Sequence, residues 1–169
     1  EEARSAGPAV RVMPGFIALV SGHYVNRSLG CEIWIARKFE VAGRNGDTKK
    51  IEINEKHLCA PSVSPRHIFA TIRAKGLVVN VLVAHGPCSA HSRDDVREFW
   101  LMIAGVLKQH CSPNVPLILL TDLNGRFGSV ISTAVGARSP GVQDEAGEQI
   151  HAIALEHGIF FPATFNEYH

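Results

Sequence analysis

The sequence has little excess charge, no apolar run of membrane-spanning length and no recognisable export signal. Its 169 residues carry a formal net charge of +1, so the overall charge does not indicate a nucleic acid or an anionic membrane as a partner. The apolar runs stop well short of the roughly 20 residues that a membrane-spanning helix needs. The acidic start, EEARSAGPAV, contains no apolar segment typical of a signal peptide. With 46% hydrophobic residues, the chain has ordinary globular composition, which predicts one domain over residues 1–169.

Closely spaced cysteines are also missing. The four cysteines are Cys31, Cys59, Cys88 and Cys111, and no two of them form a C-x-x-C pair. This spacing excludes the usual zinc-binding patterns and indicates no disulfide framework. It favours a reducing, intracellular compartment, and whether that compartment is the nucleus stays open. Because position 1 is not Met, we expect the sequence to be a fragment of a longer protein.

Short apolar segments dominate the first half of the chain and predict strands. They occur at residues 16–22, 31–37, 66–73 and 77–87, and they are rich in β-branched and aromatic residues. Between them, the turn signal Arg44-Asn-Gly-Asp47 predicts a surface hairpin within residues 39–57. The short connection Ala74-Lys-Gly76 predicts a tight hairpin whose second strand is buried on both faces.

The second half of the chain changes to a helical period. A stripe of apolar residues between Ser92 and His110 predicts a helix with Ser92 as its N-cap and the stripe buried against a sheet. The members of the stripe are Val96, Phe99, Trp100, Ile103, Val106 and Leu107. A buried strand over 116–121, a long loop over 125–146, a second helix over about 147–157 and a strand in IFFPATF should follow.

Polar residues follow two of the predicted strands directly. The stretch PLILLTDLNGRFG places Asp122 and Asn124 two positions apart, so in extended backbone both side chains would point to the same side. The strand over 77–84 ends at His85. A helix between the two strands is typical of a crossover in a mixed α/β sheet, and ligands gather at strand ends in such sheets. We therefore expect His85, Asp122 and Asn124 to meet at one rim and converge on one cleft.

The order and spacing of these motifs resemble the endonuclease/exonuclease/phosphatase superfamily. The matching elements are a strand ending in AHGP, a helix carrying FW and an apolar strand ending in TDLNGRFGS. The family signature is usually G-D-x-N; here Thr121 stands in place of the Gly, while Asp122 and Asn124 match. The segments GCEIWIARK, VVNVLVAHGP and DEAGEQIHAIALEHGIFFPATF are similar to endonuclease domains of LINE-type (non-LTR) retrotransposons. The likeness runs from about Gly15 to the end of the chain.

This resemblance implies an α/β fold, a two-sheet sandwich of the deoxyribonuclease I-like type, and metal-dependent hydrolysis of phosphodiesters in DNA. It gives Asp122 the role of orienting and deprotonating the attacking water while touching the metal ion. Asn124 would hydrogen-bond the phosphate and support the metal site, and His85 would donate to a phosphate oxygen. The implied metal is Mg²⁺ or Mn²⁺, because oxygen ligands favour hard cations.

The sequence also departs from the family pattern. The family carries a metal-binding Glu in an earlier strand, which the segment before Gly15 lacks, and a terminal Asp-His pair that Tyr168-His169 does not match. We therefore expect the central portion of the domain, incomplete at both ends, and weak nicking activity. A phosphatase of small or lipid phosphoesters and a catalytically inert remnant are the alternatives. From residue types alone, Asn124-Gly125 would be a turn, Asp122 a strand-end cap and His85 an ordinary strand-end residue.

Overall fold

Strands dominate the chain up to Asp122, and the α-helices follow β8 and β9. The computed structural model describes residues 7–22, 30–43, 45–88, 90–138 and 141–165. The strands are β1 Ala9–Met13, β2 Phe16–Val20, β3 Glu32–Ala36, β4 Lys38–Ala42, β5 Thr48–Glu52, β6 Leu58–Ser64, β7 His67–Ala74, β8 Leu77–His85 and β9 Leu117–Asp122. The α-helices are α1 Arg93–His110 and α2 Glu145–His157, and 3₁₀ turns cover Glu55–His57 and Pro162–Thr164.

The described strands form two larger sheets and a two-stranded hairpin. The three-stranded sheet has the order β1-β2-β3, the hairpin pairs β4 with β5, and the four-stranded sheet has the order β6-β7-β8-β9. Pairing is antiparallel within β1-β2-β3, in the hairpin and from β6 to β8. Together with the two helices, these sheets confirm the α/β class.

The predicted tight hairpin between β7 and β8 is confirmed. Ala74 pairs with Leu77, so only Lys75 and Gly76 form the turn. Gly76 has a φ of 84°, a left-handed conformation that glycine adopts without a steric penalty. The β4–β5 hairpin is confirmed as well, although Arg44, which opens its turn signal, lies outside the described residues.

Three points of the strand prediction need correction: one strand was missed, and two expectations were wrong. β6 was not predicted, because Pro61 interrupts its pattern; the register of β6 against β7 shifts between Cys59 and Ser62, which accommodates a residue without a backbone N–H. β9 was expected to be buried, but it is the outermost strand of its sheet, and Ile118 and Leu120 are about half exposed.

The third correction concerns the segment IFFPATF, which does not form a strand. Pro162 opens a 3₁₀ turn that ends at Thr164. Proline fixes φ near −65° and lacks the N–H that a strand ladder requires, so it starts a helical turn here instead.

Contacts divide the chain into two compact units. The first unit consists of the chain up to Ala84 and of Asn114–Leu120. The second unit consists of His85–Pro113 and of the chain from Thr121 onward. In the first unit, buried side chains from both larger sheets and from β5 belong to one apolar cluster. Its members include Ile17, Leu19, Ile33, Ile35, Ile51, Ile68, Ile72, Val79 and Val81. The prediction of a single domain stays a prediction.

The second unit contains both α-helices, which contact each other. Ser92 caps α1 as predicted: its hydroxyl accepts from the Asp95 N–H, and the Asp95 carboxylate accepts from the Ser92 N–H. Asp144 caps α2, which therefore begins two residues earlier than predicted, and Gly158 ends it with a φ of 63°. Four members of the predicted α1 stripe are buried, namely Phe99, Trp100, Ile103 and Leu107.

The long segment that precedes α2 is anchored on a buried histidine. His151 of α2 is only 6% exposed, and its Nε2 lies 2.7 Å from the Ser132 hydroxyl oxygen. Its Nδ1 lies 3.1 Å from the Gln143 amide nitrogen. The Ser132 hydroxyl also accepts from the N–H groups of Ala134 and Val135. His151 could not be singled out from the sequence, because its partners come from a segment without periodicity.

His67 at the start of β7 makes the stability of the first unit depend on pH. The ring is 5% exposed and lies 2.8 Å from the hydroxyls of both Ser62 and Ser64, and burial lowers its pKa from the ordinary 6.5. Because the unfolded chain then binds the proton more readily, the free energy of unfolding should be highest above pH 6.5 and fall as the pH drops through and below it. Denaturant unfolding of wild type and His67→Gln at pH 7.5 and pH 5 measures this. A loss on acidification that is equal in both proteins would contradict the assignment to His67.

Candidate active site at the ends of β8 and β9

The ends of β8 and β9 lie next to each other. The Asn80 N–H donates to the Pro116 carbonyl at 2.8 Å, and the Gly86 N–H donates to the Asp122 carbonyl at 2.9 Å. The donor moves along the chain from Asn80 to Gly86 while the acceptor moves from Pro116 to Asp122. Because both move in the same direction, the two strands run parallel. β8 ends at His85 and β9 at Asp122, which brings their polar end residues to the same edge of the sheet.

His85 and Asp122 face each other across this edge. The distance from His85 Nε2 to Asp122 Oδ2 is 3.9 Å, which suits an ion pair when the imidazole is protonated but is too long for a direct hydrogen bond. The side chains are 38% and 66% exposed, so a molecule from solution can reach both groups. The arrangement brings a carboxylate and an imidazole together at an open rim.

Asn124 lies in the same cluster, but its position does not come from the alternation of side chains along a strand, as was predicted. The strand ends at Asp122, and Asn124 has a φ of 47°, so alternation along extended backbone does not set its direction. Asparagine tolerates this left-handed conformation better than most residues. Its backbone N–H donates to Asp122 Oδ1 at 3.3 Å, and its side-chain amide donates to the Gly86 carbonyl at 3.0 Å. Residue types alone predicted a turn at Asn124-Gly125 and a strand-end cap at Asp122. Both features are present, and the same residues also form the predicted cluster.

Gly86 holds the two strand ends together and was assigned no role from the sequence. Its N–H binds the Asp122 carbonyl, and its own carbonyl accepts from Asn124. A Cβ atom at this position would lie 2.7 Å from the Leu123 carbonyl oxygen and 3.1 Å from the Trp100 ring. Any larger residue would push the Asp122–Asn124 segment away from β8. The glycine in AHGP is the sequence signal for this close approach.

A cleft of about 450 Å³ opens beside Asn124. It is lined from the chain after β8 by Pro87, Cys88, His91 and Arg93, and from the start of α2 by acidic residues including Asp144 and Glu148. Asn124 lines this cleft, whereas His85 and Asp122 are not among its lining residues. The three predicted residues thus lie together, but only one of them borders the cleft.

The side-chain oxygen atoms that could bind a metal ion at the strand ends suit a hard cation that keeps most of its water ligands. Asp122 contributes a carboxylate, and the side-chain oxygen of Asn124 is the neighbouring neutral donor, since its amide nitrogen is used by Gly86. Within the described ranges, no three His, Cys, Asp or Glu residues form a group that could hold a metal ion. Mg²⁺ commonly keeps several waters and uses one or two carboxylates plus phosphate oxygens of the substrate. These residues fit that mode of binding.

Comparison with solved structures reveals a structural similarity. The chain is similar to a solved structure described as the endonuclease domain of TRAS1, a telomere-specific non-LTR retrotransposon. The sequence identity is 18% and the TM-score is 0.41; the match covers 72% of this chain and 52% of that one. This chain therefore spans about half the length of that domain, and a likeness of this degree assigns no activity.

Searches by sequence add no assignment. No family model matches the chain, and no curated protein matches it. In the part of the chain that the structure describes, no helix is long and apolar enough to cross a membrane. The Tyr168-His169 pair, which departs from the family's terminal Asp-His, lies outside the described residues.

Proposed function

We propose that the chain is a metal-dependent phosphodiesterase of the endonuclease/exonuclease/phosphatase type that nicks DNA. The observation that carries this proposal is the cluster of His85, Asp122 and Asn124 at the adjacent ends of β8 and β9, with 3.9 Å between His85 Nε2 and Asp122 Oδ2. The motif order around these residues, AHGP followed by TDLNGRFG, supports the same proposal.

Asp122 is the residue that activates the attacking water. Hydrolysis of a phosphodiester needs a water aligned with the scissile bond and a group that accepts its proton. The exposed carboxylate of Asp122 can accept this proton, and the Asn124 N–H bound to Oδ1 fixes one of its oxygens. His85, whose Nε2 faces the other oxygen, would take part in the same proton transfer or donate to a phosphate oxygen.

Asp122 and the side-chain oxygen of Asn124 would hold the Mg²⁺ or Mn²⁺ ion. When bound, such an ion supplies charge neutralisation on the phosphoryl oxygens. Asn124 is kept in place for this role by its hydrogen bond to the Gly86 carbonyl. Gly86 itself positions the group, because both of its backbone polar atoms bind residues of the Asp122–Asn124 segment.

DNA is the substrate that the retroelement-like segments favour. The site lies at an exposed rim and not inside a closed pocket, as the 66% exposure of the Asp122 side chain shows, and a polymer can approach such a rim. A phosphatase of small phosphoesters would use the same three groups, and a remnant would bind without turnover. The substrate therefore has to be decided by experiment.

The deciding experiment compares two substrates under one set of conditions. Supercoiled plasmid and p-nitrophenyl phosphate are incubated with excess protein and Mg²⁺, with and without a chelator. We expect conversion of supercoiled to nicked circular plasmid that stops when the metal is removed, and no release of p-nitrophenol. A chain that releases p-nitrophenol and leaves the plasmid intact is a phosphatase. A chain that does neither, while remaining folded by circular dichroism, is a remnant, and both outcomes contradict the proposal.

A further inference from the structure

We infer that Cys88 is the chain's reactive thiol and that small disulfides and alkylating reagents modify it at the mouth of the cleft beside Asn124. The Cys88 sulfur lies 3.4 Å from Nδ1 of His91, and both side chains are exposed. Both residues line the same cleft. The pairing of a nucleophile with a base, next to a cavity that opens to solvent, is the observation on which this inference rests.

The chain after β8 fixes the geometry of the pair. The His91 N–H donates to the Cys88 carbonyl at 3.0 Å, which keeps the two residues close together. His91 Nδ1 also lies 3.3 Å from this carbonyl oxygen. The imidazole therefore lies next to the sulfur as a base that can take the thiol proton. The thiolate formed by that transfer is the nucleophilic form of cysteine.

The chemistry that follows is thiol–disulfide exchange. Cys88 transfers its proton to His91, and the thiolate attacks one sulfur of a small disulfide. A bond forms between Cys88 and that sulfur, the original disulfide bond breaks, and the departing thiolate takes up one proton. Alkylation by iodoacetamide follows the same course, with a carbon–sulfur bond formed and iodide released. Neither reaction needs a further oxidant or reductant.

The cleft has the size and lining to accept such a reagent. Its volume of about 450 Å³ lies in the range of small-molecule sites. Arg93 and the carboxylates at the start of α2 line it as well, so it presents both charges to a zwitterionic disulfide such as oxidised glutathione. A group attached to Cys88 would occupy the cleft that Asn124 borders. The effect of this modification on catalysis is the one part of the inference that rests on the proposed function.

The other cysteines provide controls within the same chain. Cys59 is also exposed, Cys111 is half-buried and Cys31 is buried. Exposure alone would make Cys59 and Cys88 react equally. No hydrogen bond between Cys59 and a histidine occurs in the described residues, so the difference between these two thiols measures the contribution of His91.

The experiment follows modification of each cysteine by peptide mass spectrometry, with iodoacetamide and with oxidised glutathione as separate probes at neutral pH. We expect Cys88 to react about fivefold or more faster than Cys59. In His91→Ala, the Cys88 rate should fall to that of Cys59, while the Cys59 rate stays unchanged. Equal rates in the wild-type protein, or a Cys88 rate that does not respond to His91→Ala, would overturn the inference.

Nicking assays on the modified protein separate this inference from the proposed function. Glutathione on Cys88 should reduce plasmid nicking, a reductant should restore it, and Cys88→Ser should nick normally and be insensitive to the reagent. If the labelling rates agree with expectation but the chain never nicks, the reactive thiol stands and the proposed activity fails. If the chain nicks but Cys88 labels no faster than Cys59, the activity stands and the reactive thiol fails.

Discussion

Trp100→Ala should lower the free energy of unfolding by about 3–5 kcal/mol, the cost of emptying a large aromatic position in a core. Trp100 is fully buried, its ring packs edge-to-face on Phe99 at a centroid distance of 5.0 Å, and it lies under Gly86. Among the residues that the structure describes, none is a hydrogen-bond partner of the indole nitrogen. The loss should therefore come from packing and not from a broken hydrogen bond. Chemical denaturation measures it.

The neighbouring residue on α1 is the matched control. Leu101 is 56% exposed, so Leu101→Ala should change the free energy of unfolding by less than about 1 kcal/mol. If both variants lose the same amount, or if Trp100→Ala loses well under 1 kcal/mol, the burial of this helix face is contradicted. Because Trp100 lies beside Gly86, we also expect the folded Trp100→Ala protein to nick more slowly than Leu101→Ala.

Asp122→Ala should lower the weak nicking rate to that of a control without protein, because loss of a general acid or base commonly costs about 10²–10⁴-fold. In the proposed mechanism the carboxylate would accept the proton of the attacking water and would also hold the metal ion, so one substitution would remove both contributions. The fold should persist, because the Asp122 side chain is 66% exposed. Plasmid nicking under single-turnover conditions gives the rate, and denaturant unfolding confirms that the protein is folded.

Two further variants isolate the carboxylate charge. Asp122→Asn keeps an oxygen that can accept from the Asn124 N–H, so it preserves the turn while removing the charge. It should be as inactive as Asp122→Ala. Asp47→Asn removes a carboxylate from the exposed β4–β5 turn and should nick like the wild type. Activity retained in Asp122→Asn, or lost equally in Asp47→Asn, would rule out a specific role for the Asp122 carboxylate.

Much of the secondary structure was predictable because it depends on local patterns. The α1 stripe, the Ser92 cap and the β7–β8 hairpin each follow from residues near one another in the sequence. β6 and β9 show where this reasoning stops. Pro61 interrupts the strand pattern of β6, and the register against β7 shifts near it. The exposure of Ile118 and Leu120 on β9 depends on what covers that face of the sheet, which no local pattern encodes.

The proximity of His85, Asp122 and Asn124 was predictable from the sequence, but their detailed geometry was only partly so. His85 and Asp122 were expected together because both follow strands that a crossover would make neighbours, and these strands are adjacent. Asn124 was placed by strand alternation, yet its position comes from a left-handed turn and a hydrogen bond to Gly86. The turn residues signalled that the strand would end there, but the partner 38 positions away was visible only in three dimensions. The catalytic roles of all three residues stay predictions.

The most direct test of the central claim is a double-mutant cycle on nicking by His85→Gln, Asp122→Asn and the protein carrying both. Residues that act as one unit give strongly non-additive losses, because the second substitution removes a group that already lacks its partner. We predict that each single variant nicks far more slowly than the wild type and that the double variant is no slower than Asp122→Asn. Losses that multiply, or a double variant that nicks at the wild-type rate, would contradict the claim that these strand ends form one active site.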